Sequence, residues 1–450
     1  LVQVNLLMGS LFVLVRLNTM DKRFFNLFNL TEAEAIALLD TPQDQIGEED
    51  SRYIAAAHLV NFPTEAAIQA LIRSIGMTDP SLDNRIVRRK AVETLGRLKA
   101  LQAIPAIVSC LAEDDCYTVE NAVWAIGEIG TQDPAILAAV AQVLDRPEQT
   151  YRVVIHTLAK LNYHPALDRI RQFTTSADGP TASAAIAAVY RLTGDDSQME
   201  QVVAFLQDPN RNTRRACIQD LIDARYYQAI PHIARCPVSI VFRLRGVRLL
   251  ADSGVATGAM SFAEIQPYLD QTLRDHPSTL EFVHEYDQPP TLNFLIRELY
   301  ETDFGRCYLA TQTLLDQYAA AAPAALLQTY AEEAQGDYGA HYHVMKLLGW
   351  LKYAPGFDLL IEALHNREPQ FQKSRAAAAI ALGELGDPRA IADLKACLNT
   401  SIWDLKYAAL MALEILGDRN GHAIAANDTD DWVRAKATSD INTLATARIP

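Results

Sequence analysis

Asp337 and Tyr338 stand between two glycines, in Gly336-Asp337-Tyr338-Gly339. A carboxylate and a phenol at such a loop or helix entry can accept and donate protons on a bound ligand. His284, Tyr286 and Asp287 offer the same chemistry in a second irregular stretch. A different set lies in Tyr117 to Gly130, YTVENAVWAIGEIG. Tyr117, Glu120, Asn121 and Trp124 place a phenol, a carboxylate, an amide and an indole within about two helical turns, where residues three and four apart are neighbours. This reads as one wall of a binding surface. Trp124 fits a core anchor more simply, and an aromatic wall for a flat ligand is its functional reading. Arg85, Arg88 and Arg89 form a compact basic cluster, echoed by Arg211, Arg214 and Arg215 and by Arg243, Arg245 and Arg248. Guanidiniums make forked hydrogen bonds to carboxylates. The alternative is a solvated helix face, the better reading for Lys90. Asp114 and Asp115 suit capping at a helix start. His341 and His343 crowd a segment with Tyr342, Lys346 and Trp350. On a helix they point about 200° apart, so a shared metal is not expected. Satisfied or exposed histidines describe the pair better.

Several classes are disfavoured. The chain has 450 residues and a formal net charge of −15, so it lacks the positive field that non-specific nucleic-acid binding needs. Its cysteines (Cys110, Cys116, Cys217, Cys236, Cys307 and Cys397) form no CxxC pair, which argues for small core residues in a reducing compartment and against zinc. No nucleotide-binding glycine loop, serine-nucleophile elbow or HExxH occurs. Leu1 to Thr19 is apolar, but Asn5 and Arg16 interrupt it and it has no basic start. A membrane or signal segment and a docking peptide are both open for it. The favoured reading is sequence upstream of a natural start at Met20. No other stretch resembles a transmembrane span.

The elements that must position these residues are helices. Thr31 with Glu34 forms a capping-box pattern. Ser51 to Val60 and Thr64 to Ile75 read as the next two helices. Arg85 to Leu98 then aligns with Tyr117 to Ile129, with Gly96 and Gly127 at matching places. The interval of about 31 residues marks a helical solenoid. The unit continues at Tyr151 to Leu161, Ala182 to Leu192 and Thr213 to Ile222, and returns at Ser374 to Leu385 and Trp403 to Leu416. The fold class is therefore all-α, an α-solenoid (right-handed superhelix) of HEAT/armadillo-like helix-hairpin repeats. The expected organisation is a leader over 1–19, an N-terminal helical segment over 20–80, a repeat array over 81–253, an irregular helical insertion over 254–339, and C-terminal repeats with a tail over 340–450. The insertion is a place for function, or a diverged repeat pair with a longer loop.

MDKRFFNLFNLTEAEAIALLDTP, RIVRRKAVETLGRL and YTVENAVWAIGEIG resemble the E/F-type phycobilin lyases of cyanobacteria, in the longer phycoerythrin-directed branch. The resemblance covers about Met20 to Asp418. It implies a HEAT-like solenoid that binds a linear tetrapyrrole, phycoerythrobilin, as substrate, with no tightly bound cofactor and no metal. It implies thioether attachment at ring A to a cysteine of a phycoerythrin subunit, expected to be alpha, and in some members isomerisation to phycourobilin. A second, related lyase subunit and a cytoplasmic location follow from the same likeness. On this view Asp337 and Tyr338 are the catalytic pair. Arg85, Arg88, Arg89, Tyr117, Glu120, Asn121, Trp124, Arg214, His284 and His341 bind the bilin. The competing class is a non-catalytic scaffold or chaperone for a phycobiliprotein subunit.

Overall fold

The computed structural model describes residues 30–446, except 48, 49 and 78. The expectation for residues 1–19 lies outside the described residues. Every regular element among the described residues is a helix. Local signals account for most of the boundaries. The Thr31–Glu34 capping box opens Glu32–Asp40. Asp115, Asp133, Asp178, Asn210, Asp303 and Asp337 each cap a helix by accepting from a backbone N–H two or three residues on. Gly130, Gly194 and Gly386 end helices at φ +86°, +79° and +76°, a conformation that favours glycine.

The described residues form two compact units, divided between Gln172 and Phe173. The first pairs Glu65–Ile75 with Leu82–Arg97, Ile104–Ser109 with Cys116–Ile129, and Pro134–Gln142 with Tyr151–Lys160. The second runs through Gly179–Thr193, Arg211–Ala224, Ile240–Ala256, Phe304–Gln317, Tyr338–Trp350, Gln372–Leu385 and Trp403–Ile415, with shorter helices between them. Their apolar faces form one continuous core from Ile186 to Ala437. The division thus falls inside the stretch read as a single array over 81–253. Residues 254–339 hold Phe262–Arg274, Leu292–Glu298, Phe304–Gln317 and Ala322–Thr329 and share this core. The stretch hides its repeats because its helices are uneven in length and residues 280–291 carry none.

Small residues set the spacing between successive long helices. A Cβ on Gly349 would lie 2.5 Å from the Cα and Cβ of Ala381, and one on Gly383 would lie 2.8 Å from the Cα of Ala412. The obstacle is backbone, so a neighbouring side chain cannot simply rotate away. Gly349→Ala is therefore expected to destabilise by about 1–3 kcal/mol through overpacking, despite alanine's better helix propensity. Thermal melting checks this, and an unchanged or raised midpoint would refute the close-approach account.

Candidate functional site

The first unit carries the arginine cluster and the YTVENAVW helix. Arg88 donates from Nε to the Ile75 carbonyl at 2.8 Å and ion-pairs with Glu113. Arg89 forks onto Asp115 at 2.6 and 2.9 Å, and its guanidinium lies 4.8 Å from the Tyr117 ring centroid. Burial alone would raise the Asp115 carboxyl, but Arg89 and Thr118 hold it below the usual range. These two arginines therefore tie one repeat to the next, and a ligand carboxylate would have to displace their partners. Arg85 is exposed and Tyr117 is 57% exposed. Glu120 is half-buried and accepts from Thr150 at 3.0 Å; burial pushes its carboxyl up, against that bond. The Asn121 amide donates to the Tyr117 carbonyl at 2.8 Å. Trp124 lies where a Cβ on Gly96 would meet its ring at 2.9 Å, a packing role between repeats.

The second unit gathers its chemistry at the N-terminal ends of four helices. Arg211, Phe304 and Tyr338 are the first residues of theirs, and Lys373 is the second of Gln372–Leu385. Tyr338 is 46% exposed, and its ring stacks on Phe304 with centroids 6.4 Å apart and planes 24° apart. Burial raises its phenol, Asp337 adds to this, and the charges of Arg215 and Arg211 oppose it. Asp337 is half-buried and caps its helix through Oδ1, which accepts from the Gly339 and Ala340 amides at 2.8 Å each. Its other carboxylate oxygen makes no hydrogen bond among the described residues. Arg215 lies 5.0 Å from the Phe242 ring centroid and donates to the Thr302 carbonyl at 3.3 Å.

Two residues expected to touch a ligand lie beneath this surface. Arg214 has no exposed side-chain area and donates from Nη2 to both Asp303 oxygens, at 2.6 and 2.8 Å. Arg215, one residue on, is turned by about 100° and stays half-buried at the surface. His341 is 1% exposed, with its ring 4.6 Å from that of Phe371. The expectation that Arg214 and His341 face a ligand is corrected accordingly: both support the surface from below. His284 bonds through Nε2 to Asp303 at 3.0 Å, and a Cβ on Gly305 would meet its ring at 2.5 Å. Burial alone would raise Asp303, but His284 and Arg214 hold it far below the carboxylate range. His343 is buried with both ring nitrogens unpartnered, so the pair is neither satisfied nor exposed.

Deeper still, Asp275 is fully buried and ion-paired to Arg243. Tyr308 donates to it at 2.8 Å, and Tyr342 also donates to it. Lys346 donates to the Leu273 and Arg274 carbonyls at 3.0 and 2.6 Å. This network braces the helices that carry Phe304 and Tyr338.

Sequence reasoning missed Phe304, Asp303 and Lys373. They and Tyr338 recur in the first turns of successive long helices or just before them, so aligning the repeats on their helix starts would have shown the register. Two open recesses, of about 540 and 330 Å³, lie elsewhere and include none of the expected site residues. The Tyr338 surface can hold a flat, apolar molecule bearing negative groups.

The family model for HEAT repeats matches residues 81–152, 323–414 and 357–442. The phycocyanin operon protein Y of Pseudanabaena tenuis, itself uncharacterized, is 63% identical over 420 residues, spanning 93% of this chain and 100% of the relative. The bilin biosynthesis protein CpeY of Synechococcus sp. is 34% identical over 410 residues, spanning 87% and 97%. A phycocyanobilin lyase subunit alpha of Synechococcus elongatus is 31% identical over 242 residues, spanning 50% and 86%. Among solved structures, the complex of CpcE and CpcF of phycocyanin lyase from Nostoc sp. aligns with a TM-score of 0.47 at 26% identity, covering 54% of this chain and 95% of that one.

Proposed function

The chain belongs to the E/F-type phycobilin lyase family, in its phycoerythrin-directed branch, and from that premise we propose that it attaches phycoerythrobilin to a cysteine of a phycoerythrin subunit, the alpha subunit. The observation that carries this reading is the Tyr338 surface, where stacked aromatic rings and cations meet on one set of helix ends. An open-chain tetrapyrrole is flat, largely apolar and doubly acidic through its propionates, so it complements such a surface.

Attachment is an addition. The acceptor thiol adds across a ring-A double bond, the S–C bond forms, and the thiol proton ends on the tetrapyrrole; nothing is oxidised. Asp337 and Tyr338 manage the protons at the pigment. The sulfur belongs to the acceptor protein. In support, Cys110, Cys236, Cys307 and Cys397 are buried and burial pushes their thiols up, to about 11, 12 and 11 for the first, second and last. Thiols of that kind yield little thiolate near neutral pH. Isomerisation to phycourobilin would use the same pair, one group removing a proton and the other returning one further along the conjugated chain. The pigment is substrate, with no separate cofactor.

A second lyase subunit fits the naming of a relative as a subunit alpha. Among the described residues no helix is long and apolar enough to cross a membrane, and the reading places the protein in the cytosol, where phycobiliproteins assemble.

The test is bilin transfer to co-purified phycoerythrin subunits. Tyr338→Phe and Asp337→Ala are each expected to slow transfer about a hundredfold, the range for loss of a positioned proton-transfer group. Wild-type rates in both variants would remove the pair from the mechanism. A phycoerythrobilin absorbance spectrum left unchanged by the protein would favour a scaffold instead.

A further inference from the structure

Lys373 is a cation with rings for neighbours and no counter-ion. Its Nζ lies 4.2 Å from the Phe304 ring centroid, 4.5 Å from that of Tyr338 and 5.0 Å from that of Tyr342. Among the described residues it makes no ion pair. The carboxylates nearby have other donors. Asp303 holds Arg214 and His284, Asp275 holds Arg243 and two tyrosines, and Asp337 spends one of its two oxygens on its helix cap and makes no ion pair with Lys373. The side chain as a whole is only half-buried, yet its ammonium end sits among rings, and burial pulls it down to about 7. Ring faces attract a cation but replace only part of its lost hydration.

The surrounding surface has the same imbalance. Arg211 donates to the Thr302 hydroxyl and Arg215 to the Thr302 carbonyl, while the Arg215 Nε is buried without a partner. This local excess of positive charge stands in a chain of net charge −15. A ligand that brings carboxylates would supply what the protein leaves out. A ligand that also brings a flat face would cover the exposed Tyr338 ring, which the buried Phe304 backs.

We propose that Lys373 is a ligand-binding residue that takes one propionate carboxylate of the pigment, with the tetrapyrrole plane against the exposed Tyr338 ring and the second propionate directed to Arg215. This rests on the bilin reading above and adds the groups that fix the pigment's orientation. The ammonium stays over the ring faces and donates outward to the carboxylate.

Titration of the full chain with phycoerythrobilin and with its propionate dimethyl ester tests the proposal. Wild type is expected to bind the free acid at least tenfold more tightly than the ester. Lys373→Met is expected to weaken the acid about tenfold and leave the ester unchanged, with Lys373→Arg near wild type. Equal binding of acid and ester by wild type would overturn the carboxylate role while leaving the bilin reading standing, and it needs no variant to fold. A Lys373→Met protein that still prefers the acid tenfold would overturn the assignment to Lys373. Failure of wild type to bind either form would overturn both.

Discussion

Asp275→Asn is expected to lower the unfolding free energy by about 3–5 kcal/mol, the cost of stranding a buried charge. The substitution keeps the shape of the side chain and removes its charge. Arg243 is then left fully buried beside a neutral amide, and Lys346, also buried, loses the negative charge that most supports its own. Tyr308 and Tyr342, which both donate to Asp275, have to re-pair. Burial by itself would raise the Asp275 carboxyl, but Arg243 and Lys346 more than offset this and hold it low. The charge is thus kept in the folded state because its partners are buried with it. A urea titration followed by helical circular dichroism measures the loss. Adding Arg243→Met to Asp275→Asn should recover part of it, because the second change removes the stranded guanidinium. A single variant within about 1 kcal/mol of wild type would show that the network is not the brace described.

Acidification from pH 7 to pH 5 is expected to cost about 4 kcal/mol through His341 and His343 alone, at about 1.36 kcal/mol per unit for each. Burial pulls His341 down to about 4 and His343 to about 3. In the unfolded chain both titrate near 6.5. Between those values the unfolded state binds protons that the folded state refuses, so stability falls as pH falls. The contribution is fully present above about 6.5 and is lost progressively down to the folded values. Both His343 nitrogens and the His341 Nδ1 lack a partner, and the rings sit against Phe304, Tyr308 and Phe371. A phenylalanine at each position should therefore fit without orphaning a hydrogen bond. The His341→Phe/His343→Phe protein should show a flatter dependence of urea midpoint on pH by about the predicted amount. An unchanged pH dependence would mean that the two imidazoles are not held neutral by burial.

Much of the helical framework was legible from residues alone. The capping box at Thr31, the helix starts near Tyr117 and Trp403, and the stops at Gly130 and Gly386 appear within a residue or so of where the text places them. These signals act within one or two turns, between groups close along the chain, so no tertiary information is needed to read them. The repeat was legible for a related reason: Gly96 and Gly127 recur where the next helix must approach. Residues 254–339 resisted because uneven helices and a helix-free segment break the spacing that the eye follows.

The site was legible only in outline. In Arg211-Asn212-Thr213-Arg214-Arg215 every arginine has the same chemistry on paper, and helix rotation sends Arg214 inward while Arg215 stays at the surface. The acid that claims Arg214 lies 89 residues away, and the one that claims Arg243 lies 32 away. The residues alone dictate a stack of helix pairs, because caps, glycine stops and small-residue spacing are local interactions. Which charges cancel is set by the packing of the helices, since that depends on groups far apart in the chain meeting in a place water cannot reach. Lys373, one charge left out of the cancellation, was therefore invisible until the helices were packed.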